Sequence, residues 1–148
     1  MRIKRPRRGG PERGLATAVE AALVVPVLML LIGLVVVLAG RALAQQSVAG
    51  AAFSAARAAS LERNPGAAER AGQAAAEVDL GTSRVHCRAV TVTVDASRIN
   101  APAGSEAFVT TTVTCQAVFP ISLPGLPEHM TLRGHGRAPV DTYRSSDE

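Results

Sequence analysis

The sequence predicts an α+β protein: a long N-terminal helix, transmembrane in its first half, then a short second helix and a three-stranded antiparallel sheet. Three observations predict it. Residues 21–40 form an unbroken apolar run, residues 41–62 keep helical spacing without a membrane composition, and the chain from Arg84 onward alternates in the manner of strands.

The first element is a tail. Residues 1–14 hold Arg2, Lys4, Arg5, Arg7, Arg8 and Arg13 against Glu12, whereas the rest of the chain carries ten basic and eleven acidic residues. The whole excess behind the net charge of +4 therefore sits immediately before the apolar run. Lys and Arg in that place retain the cytoplasmic end of a membrane helix, so residues 1–14 read as a cytoplasmic leader. Residues 15–40 follow as the transmembrane helix. Ala21 to Gly40 contains no charge or strongly polar group, and at 1.5 Å per residue it spans about 30 Å, the thickness of a hydrocarbon core. Pro26 lies inside it, which membrane helices tolerate through local readjustment.

Residues 41–63 continue the helix outside the membrane. Leu43, Val48, Ala51, Ala52, Ala55, Ala59 and Leu61 recur at helical spacing, while Arg57, Glu62 and Arg63 stand off that stripe. One helix from about Leu15 to Glu62 is expected, closed by Asn64-Pro65, because the residue before proline is driven out of helical geometry. Asn64 can cap the next helix with Pro65 at its first position; that helix, within residues 64–81, runs to about Leu80 and stops at Gly81.

Residues 82–143 are expected to form a small antiparallel β domain, and residues 144–148 a frayed tail. Val90, Val92 and Val94 alternate with Thr91 and Thr93; Val109, Val113, Cys115, Ala117 and Phe119 share one parity of the next run. Asp95 to Ser105, with Asn100, Pro102 and Gly104, suits a hairpin loop. A third strand, about Met130 to Val140, follows the Pro-rich turn Leu123 to Pro127. With no Trp, one Tyr and three Phe, the core must be small and built from Val, Ala and Leu.

Cys87 and Cys115 fall on the first two strands. If Val94 faces Phe108 across the loop, opposed residue numbers sum to 202, and so do 87 and 115; a cross-strand disulfide is then feasible, and the oxidising side of the membrane favours it. A parity switch between Val85/Cys87 and Val90/Val92 hints at a bulge that would shift this register. Two buried thiols are the alternative.

Several classes of function are disfavoured. Nucleic-acid binding wants basic residues over a folded face, and here they are confined to the tail. His86, His129 and His135 share no metal spacing, no Ser, His and acid cluster suggests a nucleophile, and there is no phosphate-cradling loop. Gly134-His135-Gly136 reads as bulge or turn chemistry within a strand. No enzyme, metal, cofactor, nucleic acid or small-molecule substrate is expected.

Glu20 needs explaining, because a carboxylate at the start of an apolar run is carried into or beside lipid. It either seeks a cation on a neighbouring subunit or lies at the interface facing the basic tail of its own helix. Physics alone leaves both open.

The basic leader, Arg13-Gly14, the run Thr17-Ala18-Val19-Glu20 before Ala21-Ala22-Leu23-Val24-Val25-Pro26, and the apolar stretch together resemble TadE-like proteins. These are minor pilins or pseudopilins of the tight-adherence (Flp) pilus system. The similarity continues through Ala51–Ala59, Val109 to Val118, Leu123-Pro124-Gly125-Leu126 and Arg137-Ala138-Pro139-Val140. It implies a pilin-like fold and a role in assembly, with other pilins, the assembly platform and membrane lipid as partners. It also implies cleavage by a prepilin peptidase after Gly14, leaving Leu15 as the new N-terminus, and pairing of Glu20 with the N-terminal amine of a neighbouring subunit. In the family the glutamate usually stands fifth after the cut, whereas Glu20 stands sixth after Gly14. The expected location is the plasma membrane, single-pass, with the N-terminus cytoplasmic and the C-terminal domain outside.

A soluble secreted domain is the competing reading. Ala42-Leu43-Ala44 before Gln45 resembles a signal-peptidase site, although the apolar run exceeds the usual 7–15 residues and Arg41 interrupts the approach to the cut.

Overall fold

The computed structural model describes residues 12–118 and 129–142, with side chains described over 18–118 and 129–142. The elements are α1 (Glu12–Ser60), α2 (Pro65–Thr82), β1 (Cys87–Asp95), β2 (Phe108–Val118) and β3 (His129–Pro139). The α+β class expected from the sequence is what the chain adopts. The Pro-rich turn Leu123 to Pro127, Phe119, the residues before Glu12 and the tail beyond Thr142 lie outside the described residues.

The chain divides into two compact units, residues 1–40 and residues 41–148. In the first, α1 is unbroken through Pro26, and its apolar side chains are bare: Leu30 is 74% exposed, and Val37, the least exposed of those between Leu23 and Leu38, is 38%.

In the second unit, α1 ends two residues earlier than its apolar spacing suggests. The Ser60 hydroxyl donates to the Arg57 carbonyl, and the amides of Leu61 and Glu62 reach back only three residues, to Ala58 and Ala59, tightening the last turn. Asn64 caps α2: its side-chain oxygen accepts from the Ala67 amide at 2.7 Å, with Pro65 opening the helix. The stop differs from expectation. Gly81 stays helical and Ser83 closes α2, its amide donating to Asp79 and Leu80 carbonyls and its hydroxyl to Leu80 at 2.7 Å. A serine that satisfies orphan carbonyls makes a left-handed glycine unnecessary.

The sheet has order β1-β2-β3, antiparallel throughout. Its register departs from the sum of 202. Val94 faces Thr111, Val92 faces Val113 and Val90 faces Cys115, three positions away from the expected pairing. An odd shift changes faces. The expected register would have set the β1 valines beside Phe108, Thr110 and Thr112, whose side chains lie on the solvent side. The observed one sets them beside buried Thr111, Val113 and Cys115. Between β1 and β2 the unpaired loop runs 96–109, against the expected 95–107; within it Ala96, Ile99 and Ala107 are buried, and turns join Ile99 to Ala96, Ala101 to Arg98 and Ser105 to Pro102.

Between Cys87 and Val90 the register shifts again, so that Cys87 lies opposite Ala117. This bulge is the parity switch visible in the sequence. Cys87 and Cys115 are therefore diagonal neighbours rather than directly opposed, and they are joined by a disulfide with Cα atoms 5.5 Å apart.

One face of the sheet carries the core. Val48, Ala51, Ala52 and Ala55 of α1 pack with Ala76 and Leu80 of α2 and with Val113, Cys115, Ala117 and Leu132. A second cluster joins Ala59, Ala68, Ala96, Ile99, Ala107, Val109 and Val140. Neither Phe53 nor Phe108 is among the buried residues, so the core is aliphatic and alanine-rich. On the other face Arg137 lies over the Phe108 ring, 3.6 Å from its centroid.

Candidate assembly helix and the surfaces around it

The residues singled out from the sequence fall in three places. Gly14 and Leu15 lie within the helical backbone of α1, so the dipeptide expected to be cut sits inside α1 rather than before it. Glu20 and Ala21 are exposed on α1, and Gly40 has nothing within 4 Å of the position a Cβ would take. Cys87 and Cys115 are far along the chain, in the sheet.

The apolar segment can do one thing chemically: leave water. A helix from Ala18 to Ser60 is long and apolar enough to cross a membrane, and none of its most apolar window is buried within the chain. Its thirteen Leu, Val and Ile between Ala21 and Gly40 are worth about 4–8 kcal/mol of insertion at roughly 0.3–0.6 kcal/mol each. Placing Glu20 at the bilayer centre would cost about 2.5–3.5 kcal/mol, and at an edge less. The apolar term wins, which leaves the carboxylate tolerated near one end of the span.

In the second unit α1 is held to the sheet by its own backbone. A Cβ on Gly134 would overlap the Val48 carbonyl, and one on Gly136 the Ala52 carbonyl. The two glycines are not a bulge or turn: β3 pairs with β2 without interruption from His129 to Pro139. They are flat ground on which a helix lies. The Thr111 hydroxyl donates to the Ala52 carbonyl at 2.5 Å, and the Gln45 amide donates to the Arg133 carbonyl at 2.6 Å. Gly72 does the same for α2, where a Cβ would stand 2.9 Å from Val94 and 3.3 Å from the Ala55 carbonyl. Sequence reading missed these contacts. The signal that could have found them was the spacing of Gly134 and Gly136, two apart and hence on one face of a strand.

Exposed Phe53 of α1 and exposed Leu61 just beyond it line a groove of about 340 Å³, bounded also by Arg137, Pro139 and Asp141. Among the described residues no three His, Cys, Asp or Glu side chains gather to hold a metal. His135 shares a 3.2 Å contact with the Thr112 hydroxyl on the solvent face.

Residues 16–57 match the model of the TadE-like protein family. The resemblance read from the sequence holds over this segment, which takes in Glu20, Pro26, the whole apolar run and α1 as far as Arg57. The sheet lies outside the TadE-like match. Comparison with curated proteins and with solved structures gave no match. The TadE-like match and an apolar helix able to cross a membrane fit a membrane protein related to Tad pili.

Proposed function

We propose that this chain is a non-enzymatic, single-pass membrane protein that acts as a minor pilin or pseudopilin in assembling a Flp-type pilus or a related secretion apparatus. The observation that carries the reading is the coincidence of the TadE-like match with a helix whose apolar side chains no other described residue covers. The basic leader stays in the cytoplasm and residues 41–148 lie outside, following the charge rule for short flanks. Function is assembly: helices pack side by side through apolar and small residues, and Glu20 takes a cation from a neighbour, such as the amine exposed if a peptidase cuts between Gly14 and Leu15. The partners are lipid, other pilins, the assembly platform and prepilin peptidase.

The secreted alternative requires a cut after Ala44. Ala42, Leu43 and Ala44 lie inside continuous α1, Ala44 packs against the core and Gln45 is bonded to β3. A cut there would place the new N-terminus at Gln45, where the side chain bonds to β3, and would remove Ala44 from the core it packs against, which weighs against this reading. Mass spectrometry of the mature N-terminus separates the two: Leu15 supports the pilin reading, Met1 a permanently anchored one, and Gln45 overturns both.

A further inference from the structure

We propose that the end of the second unit at which α1 enters it rests on anionic lipid headgroups, held by Arg41, Arg84 and Arg88. This rests on the membrane-anchor reading. It starts from the directions of the elements. Gln45 bonds to Arg133, Val48 lies over Gly134 and Ala52 over Gly136, so α1 and β3 run the same way. The beginning of β3 therefore shares an end with Arg41. Ala44, Val85, Cys87 and Met130 pack round one core cluster that includes Leu80, whereas Ala59, Ala68, Ala96 and Val140 belong to the other cluster, at the far end. The close of α2, the link through Arg84 and the starts of β1 and β3 thus converge beside Arg41. The Val118 amide donating to the His86 carbonyl, and Val118 facing His129, complete that edge.

The side chains there are cationic. Arg41, Arg84 and Arg88 are exposed, as are His86 and His129. The nearby described carboxylates are half-buried Asp79 and, two residues earlier on α2, exposed Glu77. At the far end the signs balance: Glu62, Glu69, Asp95, Glu106 and Asp141 stand among Arg57, Arg63, Arg70, Arg98 and Arg137. Connectivity selects the partner. Arg41 follows Gly40, the last residue of the apolar run, so it is one residue, about 3.8 Å, from where the hydrocarbon ends. Covalent connection at Gly40–Arg41 keeps these cations within reach of headgroups, and each cation near an anionic leaflet strengthens the contact roughly fivefold.

The test uses the full chain in vesicles of phosphatidylcholine alone or with one third phosphatidylglycerol, following amide hydrogen exchange over residues 83–88. The expected result is several-fold slower exchange in the anionic vesicles, reversed by high salt and absent from an Arg84→Gln/Arg88→Gln variant that still floats with vesicles and keeps its disulfide. Equal exchange in both vesicles overturns the proposal, as does equal slowing when inorganic phosphate is added to the neutral ones. A chain that floats with neither kind of vesicle overturns the anchor reading and this proposal together; one that floats without lipid-dependent protection overturns this proposal alone.

Discussion

Gly136 lies directly against the backbone carbonyl of Ala52, so close that a methyl group on its Cα would overlap that oxygen and stand 2.8 Å from the Phe53 nitrogen. Backbone atoms cannot swing aside as a long side chain can. Gly136→Ala should therefore destabilise the second unit by about 1–3 kcal/mol or more, the usual cost of forcing extra volume into a packed core. Gly50→Ala, on the open side of α1, meets nothing within 4 Å and should be neutral or slightly stabilising through helix propensity. Urea denaturation of the detergent-solubilised variants, followed by circular dichroism, measures both.

The disulfide between Cys87 and Cys115 spans 28 positions of sequence. A loop of that length is worth roughly 3–4 kcal/mol in the chain-entropy model. Cys87→Ser/Cys115→Ser should lose stability of that order, and reduction of the native chain should reproduce the loss.

Asp95 offers a pH-dependent check. Its carboxylate accepts from Ser97, first through the hydroxyl and then through the backbone amide at 3.1 Å, and these bonds hold its pKa below the ordinary aspartate value. A depressed carboxylate pKa contributes stability that is present above the unfolded pKa and is lost as pH falls through the folded one. Ser97→Ala should raise the Asp95 titration midpoint toward the ordinary value, as followed by NMR of its side-chain carbonyl carbon.

Glu20→Ala should leave membrane insertion intact and reduce co-purification with other pilins, because insertion is driven by the apolar run and partner choice by the carboxylate. Equal recovery of partners with the variant would remove Glu20 from assembly.

Much of this fold was legible in the residues. The apolar run, the Asn64-Pro65 break and the change of parity around Arg88-Ala89 each act locally, and each lies where the sequence placed it. The strand register was not legible. A sum of 202 satisfied the two cysteines, but nothing local revealed that Ala96, Ile99 and Ala107 would be buried and draw the loop into the core. Gly134 and Gly136 were ambiguous for a similar reason: a glycine in a strand fits a bulge or a close neighbour equally, and only the helix lying on it decides. Thr111 read as one more β-branched strand residue, yet its hydroxyl is buried and bonded to α1. At the start of the chain, Glu20 shows a cost of burial without showing who shares it.

The most direct test of the whole account is where the untagged chain goes when cells are broken without detergent and the lysate is spun at high speed. Full-length protein, or protein beginning at Leu15, should sediment with membranes, resist alkaline carbonate and come free only in detergent. A monomer that still contains residues 21–40 and remains in the supernatant would contradict it.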